Sequence, residues 1–144
     1  REALTGSGMK RLLVATVAGT TGAISRSNPA EAAEMVGGHD IRASIEHGLE
    51  GFGFQFFLSG IVWLAGEWTS APRATIRRVE EGMLIFFNLA YVAFHLGREL
   101  AQSHKLSRPL QSEQLIGTAV GVGLGLVVLG LINRFNRSYK SNEN

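Results

Sequence analysis

Twenty consecutive residues, 114–133, carry no charged side chain. As a helix such a run is about 30 Å long, the thickness of a bilayer's hydrocarbon core. Five glycines fall inside it, at 117, 121, 123, 125 and 130. In a water-soluble helix each would cost about 1 kcal/mol relative to alanine. In a membrane helix glycine instead lets a neighbouring backbone come close. The run therefore reads as a transmembrane helix with packing faces.

Two further uncharged runs, 51–66 and 82–97, have 16 residues each. Each covers about 24 Å as a helix, and one extra turn at an end completes a crossing. The expected fold is all-α: an integral membrane protein with three transmembrane helices. A fourth stretch, Leu12–Ser25, has three Thr and two Gly in 14 residues. Its length suits an interfacial or re-entrant segment, with a fourth crossing as the alternative. Composition agrees: 18% of the 144 residues are charged, against about 25% in soluble domains. With no cysteine, disulfides, thiolate metal sites and thiol nucleophiles are excluded.

The chain divides by charge. Residues 1–27 form a basic, membrane-associated arm, with Arg1, Lys10, Arg11 and Arg26 against Glu2. That pattern, starting on Arg rather than Met, suits either a processed organellar targeting region or a segment lying on anionic lipid. Residues 28–50 form an acidic helical segment. A short helix is expected from Pro29 to Val36, ended by Gly37-Gly38, and Asp40 is placed to cap the next one. Residues 51–133 hold the three spans, and 134–144 a polar basic tail. Pro72 is expected to start a helix along the interface carrying Arg73, Arg77 and Arg78, before the chain turns into the second span. Pro109 starts the third helix in the same way. Trp63 and Trp68 suit one interface, and Arg98 can snorkel at the other. With three spans, the 67–81 loop and the tail share six Lys and Arg against four on the opposite side. This bias places them on the cytoplasmic, matrix or stromal face.

The third span carries two small-residue stripes. Gly117, Gly121 and Gly125 fall within about 80° of one another at helical spacing, and Ala119, Gly123 and Gly130 lie on the opposite face. One stripe can take the chain's own hairpin and the other a neighbouring chain. The second span carries a polar seam, in which Glu81, Asn88, His95 and Gln102 recur every seven residues and Tyr91 and Glu99 fall on the same side. If the first two spans form a hairpin with Gly66 level with Met83, Gln55 meets His95 and Ser59 meets Tyr91. Gln55, Ser59, Asn88, Tyr91 and His95 are thus the expected interhelical polar set. The same register brings His47 and His104 to one depth. His95 is the candidate axial ligand for a haem or chlorophyll; a hydrogen-bonded structural histidine is the cheaper account, and no cofactor is expected.

HExxH, CxxC, GxSxG and P-loop motifs are absent from the sequence, and Gly121–Gly125 lies within an apolar helix, unlike a dinucleotide loop. A carboxylate deep in the membrane is not expected. Glu81 or Glu99 sits nearest a span. The basic residues flank apolar runs and form no nucleic-acid patch. The expected function is not enzymatic: a structural or accessory subunit of a larger membrane complex, with an organellar, energy-transducing one among the candidates. Its expected surroundings are other membrane subunits and lipid, in an organellar inner membrane or else a bacterial or viral one. The alternatives are a small self-assembling, holin-like pore, and a haem- or chlorophyll-binding subunit.

Overall fold

A computed structural model describes residues 2–26, 35–36, 39–107 and 112–141, with side chains described for 6–21, 43–107 and 112–135. The chain is helical: α1 spans Glu2–Arg26, α2 Ile41–Trp68, α3 Arg73–Leu106 and α4 Ser112–Ser141. Three helices are long and apolar enough to cross a membrane, over Ala43–Trp68, Arg73–Leu106 and Ser112–Phe135.

Between α1 and α2, β1 (Met35–Val36) pairs antiparallel with β2 (His39–Asp40), with Met35 opposite Asp40. Met35 and Val36 were expected at the end of a short helix and are extended instead. Gly37-Gly38 is, as a sequence, a two-residue hairpin signal as well as a helix stop. The helix start expected at Pro29, like that at Pro109, lies outside the described residues. Helix α2 does begin at Ile41, directly after Asp40, and continues unbroken into the first apolar run.

Helix α2 is the axis of the molecule. It packs along most of α1 and α4, touches α3 less, and α3 barely touches α4. Small residues make the close contacts. A Cβ added at Gly8 of α1 would lie 2.9 Å from the Leu64 backbone nitrogen, and one at Gly53 of α2 would lie 3.2 Å from Ala18. Contacts of this kind run α1 antiparallel beside the apolar half of α2. The Leu12–Ser25 stretch is therefore one side of a helix pair rather than a free arm.

A tight turn sets the α2–α3 geometry. Ser70 takes a left-handed backbone (φ 55°). Its N–H donates to the Glu67 carbonyl at 3.2 Å, and the Ala71 N–H donates to that of Gly66 at 2.9 Å. This is the paired closure of a Schellman motif, and Pro72 follows because it cannot continue the helix. Helix α3 then runs straight from Arg73 for 34 residues, with no separate interfacial helix. Arg73, Arg77 and Arg78 form its first turns, so the second span starts about ten residues earlier than its apolar run suggests. Gly66 consequently lies against Ile76, two turns ahead of the expected partner Met83. Two apolar clusters fill the interior: Phe56, Leu58, Leu84 and Leu129 in one, Val62, Trp63 and Ile76 in the other.

Candidate functional site

Four helices meet at one buried ion pair. Arg11 of α1 and Glu80 of α3 are 3% and 1% exposed. One terminal nitrogen of Arg11 donates to both Glu80 Oε1 and Ser59 Oγ, and the Ser59 hydroxyl donates to the same carboxylate oxygen. The other terminal nitrogen donates to Asn133 Oδ1 at 2.8 Å. Asn133 returns a bond from its amide nitrogen to Glu80 Oε2 at 3.1 Å. Both carboxylate oxygens are thus satisfied, and the planar guanidinium is used as a fork. The Arg11 guanidinium also lies 4.7 Å from the centre of the Trp63 ring, a cation–π distance. One turn before Glu80 on α3, Arg77 donates to the Asn133 carbonyl at 3.3 Å.

Each member is positioned by its helix. Ser59, midway along the uncharged run of α2, is fully buried. Glu80 reaches its depth because α3 starts at Arg73. Arg11 reaches it because α1 runs antiparallel along α2, and Asn133 stands at the end of the apolar run of α4. A charge on this side of the bundle is tolerable only as part of such a set, since a lone ion taken from water is strongly disfavoured.

The sequence-derived polar residues are rearranged by the changed register. Gln55 pairs with Asn88 rather than His95. The two side-chain amides exchange hydrogen bonds of 2.7 and 2.8 Å, which satisfies one donor and one acceptor on each. Ser59 bonds Glu80 and Arg11 rather than Tyr91. Tyr91 instead stacks on Phe54, with ring centres 5.0 Å apart, and meets His95 in a tilted contact at 4.3 Å. His95 also lies 6.5 Å from the ring of His47, so His47 is level with His95 rather than with His104. Trp63, expected at an interface, is 4% exposed beneath Arg11, whereas Trp68 is 91% exposed. Glu81 is exposed, and its neighbour Glu80 holds the buried position. No group of three or more His, Cys, Asp or Glu able to hold a metal occurs among the described residues.

The two stripes of α4 have different surroundings. A Cβ at Gly117 or Gly121 would run into the carbonyl oxygen of Ser44 or Gly48, and one at Gly125 would sit 2.7 Å from Gln55 Cγ. All three glycines face α2. On the other face Ala119 is exposed, and Cβ atoms at Gly123 and Gly130 would meet nothing within 4 Å. Beside Gly130 a groove of about 420 Å³ opens between α3 and α4, lined by Leu84, Leu126 and Leu129, with Glu81 and Arg134 at its polar end.

The sequence reading missed the Arg11–Glu80 pair. Arg11 stands next to Lys10 and looks like a flanking charge, and Glu80 looks like half of an acidic pair outside the span. One signal was present: α1 has the small-residue spacing of a packed helix, with Gly8, Ala15 and Ala18 on its α2-facing side. A packed α1 makes Arg11 an interior residue. No known family, curated protein or solved structure matches the chain.

Proposed function

We propose that the chain is a structural or accessory subunit of a larger membrane complex. The observation that carries this reading is the open side of the bundle. Helix α3 is the second candidate span, yet its apolar part turns Ile85, Phe86, Leu89, Val92 and Phe94 outward, each more than half exposed. The adjoining groove puts Glu81 and Arg134 beside apolar walls, and Gly123 and Gly130 present bare backbone on the same flank of α4. An apolar side chain is satisfied by lipid, but glycine gains only from a close helix. A carboxylate and a guanidinium at a groove beside the apolar layer call for a partner. A transmembrane helix of another subunit supplies both.

Native gel electrophoresis of mild-detergent extracts, with identification of co-migrating chains, tests this. The expected result is a band much heavier than the chain, containing other membrane proteins. A homo-oligomer that also leaks dye from liposomes would replace this reading by the self-assembling pore. A single observation favours the tetrapyrrole reading, the approach of His47 and His95 from facing helices. A visible absorption spectrum of the purified chain tests it, and the absence of a Soret-type band removes it. The proposed location is an organellar inner membrane, with the α2–α3 turn on the matrix or stromal face, where Arg73, Arg77 and Arg78 favour it.

A further inference from the structure

Five polar atoms near the ion pair are closed to solvent and meet no hydrogen-bond partner in the protein: Arg11 Nε, Trp63 Nε1, Arg77 Nε and both carboxylate oxygens of Glu67. Arg11 and Trp63 are themselves 3% and 4% exposed. Buried groups of this kind are paired in folded proteins, by ordered water where the protein offers no partner. The five are neighbours. Arg11 lies on the Trp63 ring, Glu67 is one turn beyond Trp63 on α2, and Arg77 is one turn before Glu80, which holds Arg11. They come from α1, α2 and α3 and gather at the end of the bundle nearest the α2–α3 turn.

The chemistry of the set selects its occupant. It offers three N–H donors and two carboxylate acceptors. Two guanidinium charges stand against the two carboxylates of Glu67 and Glu80, so the set is neutral. An anion would face both carboxylates, a cation both guanidinium groups, and a hydrocarbon chain would satisfy none of the five atoms. Water donates and accepts, and two to four polar partners are what a buried water needs. The α3–α4 groove reaches the ion pair itself at Glu80 and Asn133, with Glu81 and Arg134 at its polar end.

We propose that Arg11, Trp63, Glu67 and Arg77 enclose a bound-water site that hydrates the Arg11–Glu80 pair from the side of the α2–α3 turn, a one-sided aqueous vestibule within the helix bundle. It rests on the membrane reading, which resistance of the reconstituted chain to alkaline extraction checks separately. Water at this depth explains how two ion-pair partners and a serine can sit level with the middle of the first apolar run. It ends there, because the Gln55–Asn88 amide pair and the Phe56, Leu58, Leu84 and Leu129 cluster close the bundle beyond it.

The chain has no cysteine, so single-cysteine variants need no background changes. In liposomes, Ser59→Cys should react with a membrane-impermeant charged methanethiosulfonate about tenfold or more faster than Leu58→Cys, because only a hydrated thiol ionises readily. The reaction should occur from the α2–α3 turn side alone. Equal rates at the two positions overturn the vestibule, and labelling of Ser59→Cys from both sides replaces it with a continuous pore. Since Ser59→Cys disturbs the network, a second measurement uses the unaltered side chains. Solid-state NMR of ¹⁵N-tryptophan protein in lipid, with Trp68→Phe to assign the two indoles, should show magnetisation transfer from water to the Trp63 indole N–H. A folded protein without that transfer refutes the site.

Discussion

Removing one member of a buried ion pair is more damaging than removing both. Arg11→Gln leaves Glu80 at 1% exposure with a weaker donor, and broken buried pairs cost about 3–5 kcal/mol. Arg11→Met combined with Glu80→Leu removes both charges and their desolvation, and should recover most of that loss. Thermal unfolding in one detergent checks the order: the single variant well below wild type, the double variant close to it. If the double variant is no better than the single one, the four-helix network is not what holds α3 to α1. His95 gives a contrasting expectation. Its ring is packed between Tyr91, Phe94 and His47, so His95→Gln should lower stability by about 1 kcal/mol, in the usual range for a single substitution, without changing any absorption spectrum or the native-gel mass. A lost absorption band in a folded variant would make His95 a ligand. Single residues were legible in kind but not in partner. Gln55, Ser59 and Asn88 stood out because polar groups in an apolar run need bonds. Which bonds they make depends on register, and a slip of two to three turns exchanged His95 for Asn88 and Tyr91 for Glu80.

The helices themselves were the most legible level, because an uncharged run of adequate length and its helical spacing are local properties. What escaped was where a helix starts when its first turns are charged. Helix α3 includes Arg73, Arg77, Arg78, Glu80 and Glu81 because the Schellman turn at Ser70 lets Pro72 begin it at once. Hydropathy alone drops those residues, and the register moves with them. The α2–α4 contact is the element-scale test. In Gly121→Leu the new side chain starts inside the space of the Gly48 carbonyl, where backbone rather than a flexible side chain must give way. Overpacking of this kind costs about 1–3 kcal/mol or more. The purified chain itself should melt earlier. Gly123→Leu has open space at the Cβ position and should leave the purified chain's melting unchanged while reducing its yield in the proposed complex. If the two variants lose stability equally, the two faces of α4 are equivalent and the proposed division of labour between them fails.

At the scale of the whole molecule the bundle is lopsided. Helices α1 and α4 are each joined to α2 by backbone-close contacts. Helix α3 is joined to α2 by the Gln55–Asn88 amides, the Ser59–Glu80 bond and the aromatic stack at Tyr91, and to α4 mainly at Asn133. Beyond Phe94, α3 meets α2 through the rings of His95 and His47. A neighbouring subunit seated in the α3–α4 groove would hold it from a second side. Spin labels report this directly, again because the chain has no cysteine to remove. Leu96 and Ile116 are both exposed, at 44% and 60%, on the far parts of α3 and α4. With labels at Leu96→Cys and Ile116→Cys, pulsed electron–electron resonance of the isolated chain in lipid should give a broad distance distribution. In the proposed complex the same pair should narrow to one population, because a seated helix would remove the hinge freedom about the Glu80 end. A narrow distribution in the isolated chain would mean that α2 and lipid are enough to fix α3. The open groove would then be a finished surface rather than an interface, and the accessory-subunit proposal would lose the observation that carries it.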